Sequence, residues 1–249
     1  MNACIVIPVF NHGATLAGVL AQLQPFGLPV ILVDDGSDAD TARTLRQLAN
    51  GHPEHITLYT RTENGGKGAA VMDGLRQARQ LGFSHALQID ADGQHRSADL
   101  PRFLDAARTN PNALITGTPQ YDASVPKGRL YGRYLTHVWV WINTLSLDIR
   151  DSMCGFRIYP LVPTLVNIDR VVRGKRMEFD CEILARLHWQ GTPIINLPTA
   201  VQYPENGLSH FRLLKDNLLI SNMHARLFFG MLVRLPWILW RRIPGRRLT

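Results

Sequence analysis

Residues 86–95, Ala86-Leu87-Gln88-Ile89-Asp90-Ala91-Asp92-Gly93-Gln94-His95, decide how the rest of the chain is read. The apolar run from Ala86 to Ile89 suits a strand buried on both faces of a parallel sheet. It closes on Asp90 and Asp92, two acids with one residue between them. If the strand persists to Asp92, both carboxylates leave the same face, roughly 6–7 Å apart. Like charges so placed repel each other unless a positive group lies near. A divalent cation held by one or two carboxylates and completed by a diphosphate is one solution. An Asp-Gly turn after a strand is the plainer one. The surrounding sequence has to decide.

Upstream, residues 3–10 (ACIVIPVF) read as a strand with a polar turn at Asn11-His12-Gly13. A helix follows, with Leu16, Val19, Leu20 and Leu23 on one face. A strand over 29–33 ends in Asp34-Asp35-Gly36-Ser37, and a helix over 40–49 leads to a strand over 56–60. Asn64-Gly65-Gly66-Lys67-Gly68 then opens a helix carrying Val71, Leu75 and Ala78. This alternation predicts a doubly wound, mostly parallel sheet. Such sheets bind ligands at the carboxyl ends of their strands. The polar clusters fall at those ends: Asn11, Asp34-Asp35, Asn64 to Lys67, and Asp90 to Gln94. Each alone has a bland reading as a cap or a turn; their coincidence points to a site.

The glycine-rich stretch is neither of two familiar phosphate loops. Gly68 stands where a phosphate loop of the GKS/GKT type needs a hydroxyl for magnesium, and no GxGxxG follows the first strand. Small residues opening a helix still admit a phosphate, and Lys67 can reach one.

Downstream, the sequence predicts a helix over 97–108, a strand over 113–117 and a long amphipathic segment over roughly 128–147 with Arg129, Arg133, His137, Trp139 and Trp141. Asp151-Ser152-Met153-Cys154-Gly155-Phe156-Arg157 leads into a short strand-like run. Arg173 to Glu182 opens another helix, with Glu178, Asp180 and Glu182 in its first turns, where the helix dipole favours acids.

A chain of 249 residues, 45% hydrophobic and 19% charged, with no repeat or linker, is a single globular domain plus a tail. Residues 211–249 hold eight Lys/Arg and one acid, 8 − 1 = +7, which is the whole net charge of +7. The body is neutral, so no nucleic-acid partner is expected. Cys4, Cys154 and Cys181 lack paired or metal-type spacing and read as reduced thiols. The N-terminal apolar run has no basic flank and reads as a strand, not a signal peptide. The domain division is 1–210 and 211–249.

The tail reads as one or two helices rich in Leu, Phe and Trp. Its longest uncharged apolar stretch, Leu227 to Val233, falls short of the about 20 residues that span a bilayer, and Arg234 and Pro236 interrupt it further. Basic residues with Trp237 and Trp240 suit a helix lying in the headgroups of an anionic leaflet. The expected location is cytoplasmic, peripherally attached to the inner face of the cell membrane. Oligomeric state is left open.

Taken together, residues 6–11, 33–37, 64–68, 90–95, 151–157 and 179–182 resemble family 2 glycosyltransferases, closest to the branch of polyprenyl-phosphate (dolichyl-phosphate) mannose or glucose synthases. The resemblance runs through most of residues 3–210. It implies an α/β GT-A fold, a mostly parallel Rossmann-like sheet flanked by helices. It implies a nucleotide-diphosphate sugar donor, UDP- or GDP-linked, bound by Pro8, Val9, Asn11, Asp34, Asp35, Gly66, Lys67, Asp90 and Ala91. Asp92 with Gln94 would hold Mg²⁺ or Mn²⁺, and transfer to a lipid-linked acceptor would invert the anomeric carbon.

Two departures bear on the acceptor. Gly117-Thr118-Pro119 stands where the family commonly has Gly-Ser-Arg, and residues 203–210 lack the arginine that precedes Gly-x-Ser-Lys. Arg129, Arg133 and Arg157 are the arginines expected to substitute; Arg129, Arg133, Ser209 and His210 are the acceptor-binding candidates, and Arg157 is counted with the catalytic residues. A phosphate acceptor needs no general base, whereas a hydroxyl acceptor does. Asp151, Glu178 and Asp180 are the candidate bases, Asp151 preferred. The competing readings are a sugar-phosphate nucleotidyltransferase and a non-catalytic nucleotide-sugar-binding module.

Overall fold

The structure is a computed structural model that describes residues 1–121, 127–201 and 211–240. Ser209, His210 and the side chain of Arg129 lie outside the described residues. One seven-stranded sheet runs β3-β2-β1-β4-β6-β5-β7. Its strands are β1 (Ala3–Val9), β2 (Val30–Asp34), β3 (Ile56–Thr60), β4 (His85–Gln88), β5 (Leu114–Gln120), β6 (Arg157–Pro160) and β7 (Ile194–Ala200). The first half is parallel, as the alternation predicted: β1 pairs with β2 and β4, and β2 with β3. β6 runs antiparallel to both β4 and β5. The helix α6 (Leu161–Arg170) and strand β7 are absent from the sequence reading.

Side-chain alternation in β1 splits the core in two. Cys4 and Val6 join one cluster, with Val71 and Leu75 of α3 (Lys67–Gln80) and Leu184 and Leu187 of α7 (Phe179–Gln190). Ile5, Ile7 and Val9 join the other, with Leu16 of α1 (Gly13–Leu23), Leu45 of α2 (Ala39–Gly51) and Phe103 of α4 (Leu100–Thr109). A sheet buried on both faces requires such unbroken apolar strands.

Strand β4 stops at Gln88, two residues before Asp90. Ile89 N–H still donates to Val6 O, but Asp92 Oδ1 then accepts from Gln94 N–H and Gly93 turns at φ 71°. The two acids therefore sit on a turn, and the extended-strand geometry considered for them does not apply.

Among the described residues the tail is a single helix, α8 (Leu213–Trp240), running through Arg234 and Pro236. It is long and apolar enough by length and composition to cross a membrane, which the short uncharged stretch did not suggest. Its inner face is committed to the domain: Ile220, Met223, Leu227 and Met231 join the first core cluster. His224 meets Asn143 of α5 (Lys127–Thr144), whose Nδ2 lies 3.2 Å from His224 Nδ1. Leu214, Leu218 and Val233 remain more than two-thirds exposed.

Candidate active site

The carboxyl ends of β1, β2 and β4 open into one cavity of about 700 Å³. Pro8, Val9, Asp35, Gly66 and Lys67 line it, with Asp90, Ala91, Asp92 and Gln94 opposite. Its other half lies between α5 and α8, where Leu130, Phe211, Leu213 and Ile220 make an apolar wall. Polar groups at one end and an apolar channel at the other make a site for an amphiphile.

Asp35 builds the donor-side loop. Its buried carboxylate accepts Gly65 N–H at 2.9 Å and Gly66 N–H at 2.8 Å, and pairs with Arg61 Nε at 2.9 Å. Gly36, at φ +69°, has no room for a Cβ, because Asn64 N would lie 2.7 Å away. Asn11 and Asp34 are not among the lining residues. Asn11 Oδ1 accepts Asp38 N–H and Asp34 Oδ1 accepts Ser37 N–H, so both pin the loop ends that carry Val9 and Asp35.

Lys67 bridges Asp90 (2.9 Å) and Asp180 (3.1 Å). Burial alone would lower its pKa, but the Asp180 and Asp90 charges hold it above the usual lysine value. Burial likewise would raise Asp90, yet the Lys67 charge and His95 keep its carboxyl well below the usual range. Asp92 goes the other way: burial raises its pKa and the neighbouring Asp90 charge adds to the rise. Asp90 Oδ1 is buried with no hydrogen-bond partner. An ionised acid with an orphaned oxygen beside a second acid starved of positive charge fits a divalent cation. Among the described residues no group of three His, Cys, Asp or Glu forms a protein-only metal cage. That fits magnesium-type binding, in which substrate phosphates complete the shell.

The residues 151–157 brace the site from beneath. Asp151 does not line the cavity. Its carboxylate accepts Arg133 Nε (2.7 Å) and Nη2 (2.8 Å), lies 3.1 Å from His137 Nε2, and accepts the Met153 and Cys154 N–H groups. Burial would raise its pKa; the His137 hydrogen bond and the Arg133 charge hold it far below the carboxylate range. Arg157 is fully buried and donates to the Asp180 and Ser152 carbonyls, away from the cavity. Gly155 lies against Asp90, whose carboxylate carbon would be 2.9 Å from any Cβ there. Asp180 faces Lys67 and Arg157, and Glu178 Oε1 accepts Lys175 N–H. None of the three candidate bases reaches the cavity.

Of the acceptor candidates, Arg133 lines the cavity, with the Tyr121 ring 5.6 Å from its guanidinium carbon. The sequence does not single out Tyr121 and Arg176, which line the cavity, or the contact of His95, whose Nε2 lies 3.8 Å from Asp90 Oδ2. His95 lies inside the stretch 86–95 and Arg176 inside the basic run before Glu178, but spacing does not show what either side chain faces.

The sequence model of the family described as Glycosyl transferase family 2 matches residues 4–164, more than half of the chain. Polyprenol monophosphomannose synthase of Mycolicibacterium smegmatis is 26% identical over 219 residues, 82% of this chain and 79% of that protein. Undecaprenyl-phosphate mannosyltransferase of Micrococcus luteus is 28% identical over 220 residues, 84% of this chain and 87% of that one. Among solved structures, glucosyl-3-phosphoglycerate synthase of Mycobacterium tuberculosis with Mn²⁺ and UDP-glucose superposes with a TM-score of 0.66 at 16% identity. That match covers 94% of this chain and 78% of the other. The architecture is the GT-A fold that the resemblance implied.

Proposed function

The chain belongs to glycosyl transferase family 2, and from that membership we propose that it moves a sugar from a nucleoside diphosphate onto a polyprenyl phosphate. The observation that carries the acceptor is that, among the described residues, each carboxylate lining the cavity already has a role other than that of a base. Among the described residues, the carboxylates lining the cavity are Asp35, Asp90 and Asp92. Asp35 holds a loop, Asp90 is paired with Lys67, and Asp92 stands at the diphosphate end. A phosphate is already anionic and attacks without losing a proton, so such a cavity suffices for it. The mannosyltransferase relatives support the same reading.

The donor's base and ribose lie along Pro8, Val9 and Asp35, with the diphosphate toward Lys67. Asp92 and Gln94, with the free oxygen of Asp90, would hold Mg²⁺ or Mn²⁺, which when bound would supply positive charge for the departing diphosphate. Lys67 keeps Asp90 ionised. Asp151 fixes the guanidinium of Arg133 with two hydrogen bonds, leaving Arg133 to orient the acceptor phosphate. The phosphate oxygen approaches the anomeric carbon opposite the diphosphate, and configuration inverts. The acceptor's lipid tail leaves along Leu130 and Leu213.

The exposed apolar side chains of α8 and the basic residues after it attach the enzyme to an anionic leaflet, at the cytoplasmic face. Nucleotide release from UDP- and GDP-sugars, with Mg²⁺ or Mn²⁺ and undecaprenyl phosphate in detergent, tests the proposal. Release that requires both lipid and metal supports it; nucleotide release that ignores the lipid contradicts it.

A further inference from the structure

Among the described residues, Lys67, Arg133 and Arg176 are the Lys and Arg side chains that line the cavity. Lys67 is held by two carboxylates, and Arg133 by two hydrogen bonds, from Nε and Nη2, to Asp151. Arg176 is held differently. Its Nε faces Asp216 Oδ1 of α8 across 3.7 Å, beyond hydrogen-bond reach. Both atoms are buried, and neither has a hydrogen-bond partner. Its Nη1 makes one long bond, 3.4 Å, to Asn64 Oδ1 on the donor-side loop. A guanidinium carries five N–H donors, and this one spends them poorly.

The backbone beneath Arg176 is, by contrast, firmly placed. Glu182 Oε2 accepts the Arg173 and Gly174 N–H groups, Glu178 accepts that of Lys175, and Lys175 O accepts Ala69 N–H at the start of α3. Gly66 and Gly68 let this segment close: a Cβ on Gly66 would lie 2.7 Å from Lys175 O, and one on Gly68 would lie 2.9 Å from the Lys175 carbonyl carbon. A rigid base with a loosely held guanidinium, beside Gly66 and Lys67, is the arrangement of a side chain waiting for an anion.

We propose that Arg176 is a phosphate-binding residue that gives up Asp216 for a substrate phosphate when the cavity fills. The inference rests on the reading of this cavity as the transferase site. Its position beside Asn64 and Gly66 favours the donor diphosphate, and the acceptor phosphate offers the same chemistry. Because Asp216 also accepts Arg212 N–H at the start of α8 (2.7 Å), the exchange links the filled cavity to the helix that lines its mouth.

The test is calorimetric titration of the full chain and of Arg176→Ala and Arg176→Lys, with Mn²⁺, using UDP, GDP and the parent nucleosides. A short-chain prenyl phosphate is the variable substrate in a parallel KM measurement. A diphosphate Kd weakened about tenfold or more in Arg176→Ala, partly restored in Arg176→Lys, with nucleoside affinity unchanged, supports donor binding. An acceptor KM raised by the same factor with kcat kept assigns Arg176 to the acceptor phosphate. Unchanged Kd and KM in both variants overturn the inference while leaving the transferase reading intact. A wild-type chain that binds neither diphosphate overturns both.

Discussion

At the scale of single residues, Asp92 and Asp151 are both acids that a sequence can nominate for chemistry, and their surroundings separate them. Asp92 has burial and the Asp90 charge against it, and these outweigh the Gln94 N–H and the more distant His95 and Lys67 charges in its favour. Asp92→Ala is therefore expected to lower turnover on the order of 10²-fold or more and to abolish the response of activity to added Mn²⁺ in a titration. Asp151→Asn keeps the shape but loses charge against Arg133. If Asp151 positions Arg133, acceptor KM rises while the pH profile of kcat keeps its form; loss of the acidic limb of that profile, where rate climbs as a base deprotonates, would restore Asp151 as a base. The paired acids were legible because Asp-x-Asp after an apolar run is a local pattern. That Asp151 and Arg157 are consumed internally was not legible, because their partners, Arg133 and Asp180, lie 18 and 23 residues away along the chain.

At the scale of elements, the parallel half of the sheet could be read from periodicity, whereas β6 and β7 could not. β6 is four residues long, and β7 has Pro198 within it, which the pattern of a central strand excludes. β7 pairs only with β5 and tolerates the proline as an edge strand. Helix α3 depends on glycine at its entrance. Gly68→Ala is expected to cost about 1–3 kcal/mol by overpacking against Phe179 and Lys175, measured as a lowered denaturation midpoint. Helix α8 carries a pH-sensitive contact. Burial pushes His224 down to about 4, while the unfolded residue titrates near 6.5. Between these values the unfolded chain binds the extra proton, so stability falls as pH drops from 6.5 toward 4 and levels off below. Melting temperatures across that range should fall more steeply for the wild type than for His224→Asn, and equal slopes would contradict the assignment.

At the scale of the whole molecule, basic charge and exposed apolar side chains coincide in the tail. The net charge of +7 lies entirely in residues 211–249, and α8 exposes Leu214, Leu218, Phe229 and Val233 alongside it. Co-sedimentation with phosphatidylglycerol vesicles is expected, with little on neutral vesicles and release at high salt. Replacing Arg241, Arg242, Arg246 and Arg247 with Gln should weaken it by roughly 1 kcal/mol per residue. The tail's composition led to the expectation of membrane attachment but did not reveal its packing on α5 and α7, because an amphipathic face is the same in sequence whether protein or lipid covers it. The central claim is that the acceptor is a phosphate. The direct measurement is transfer of labelled sugar from the active UDP- or GDP-sugar into undecaprenyl phosphate and, in parallel, into undecaprenol. The account predicts a labelled lipid from the phosphate alone, absent with Asp92→Ala. Label entering undecaprenol as readily as the phosphate would mean that a base acts in this cavity, and would contradict it.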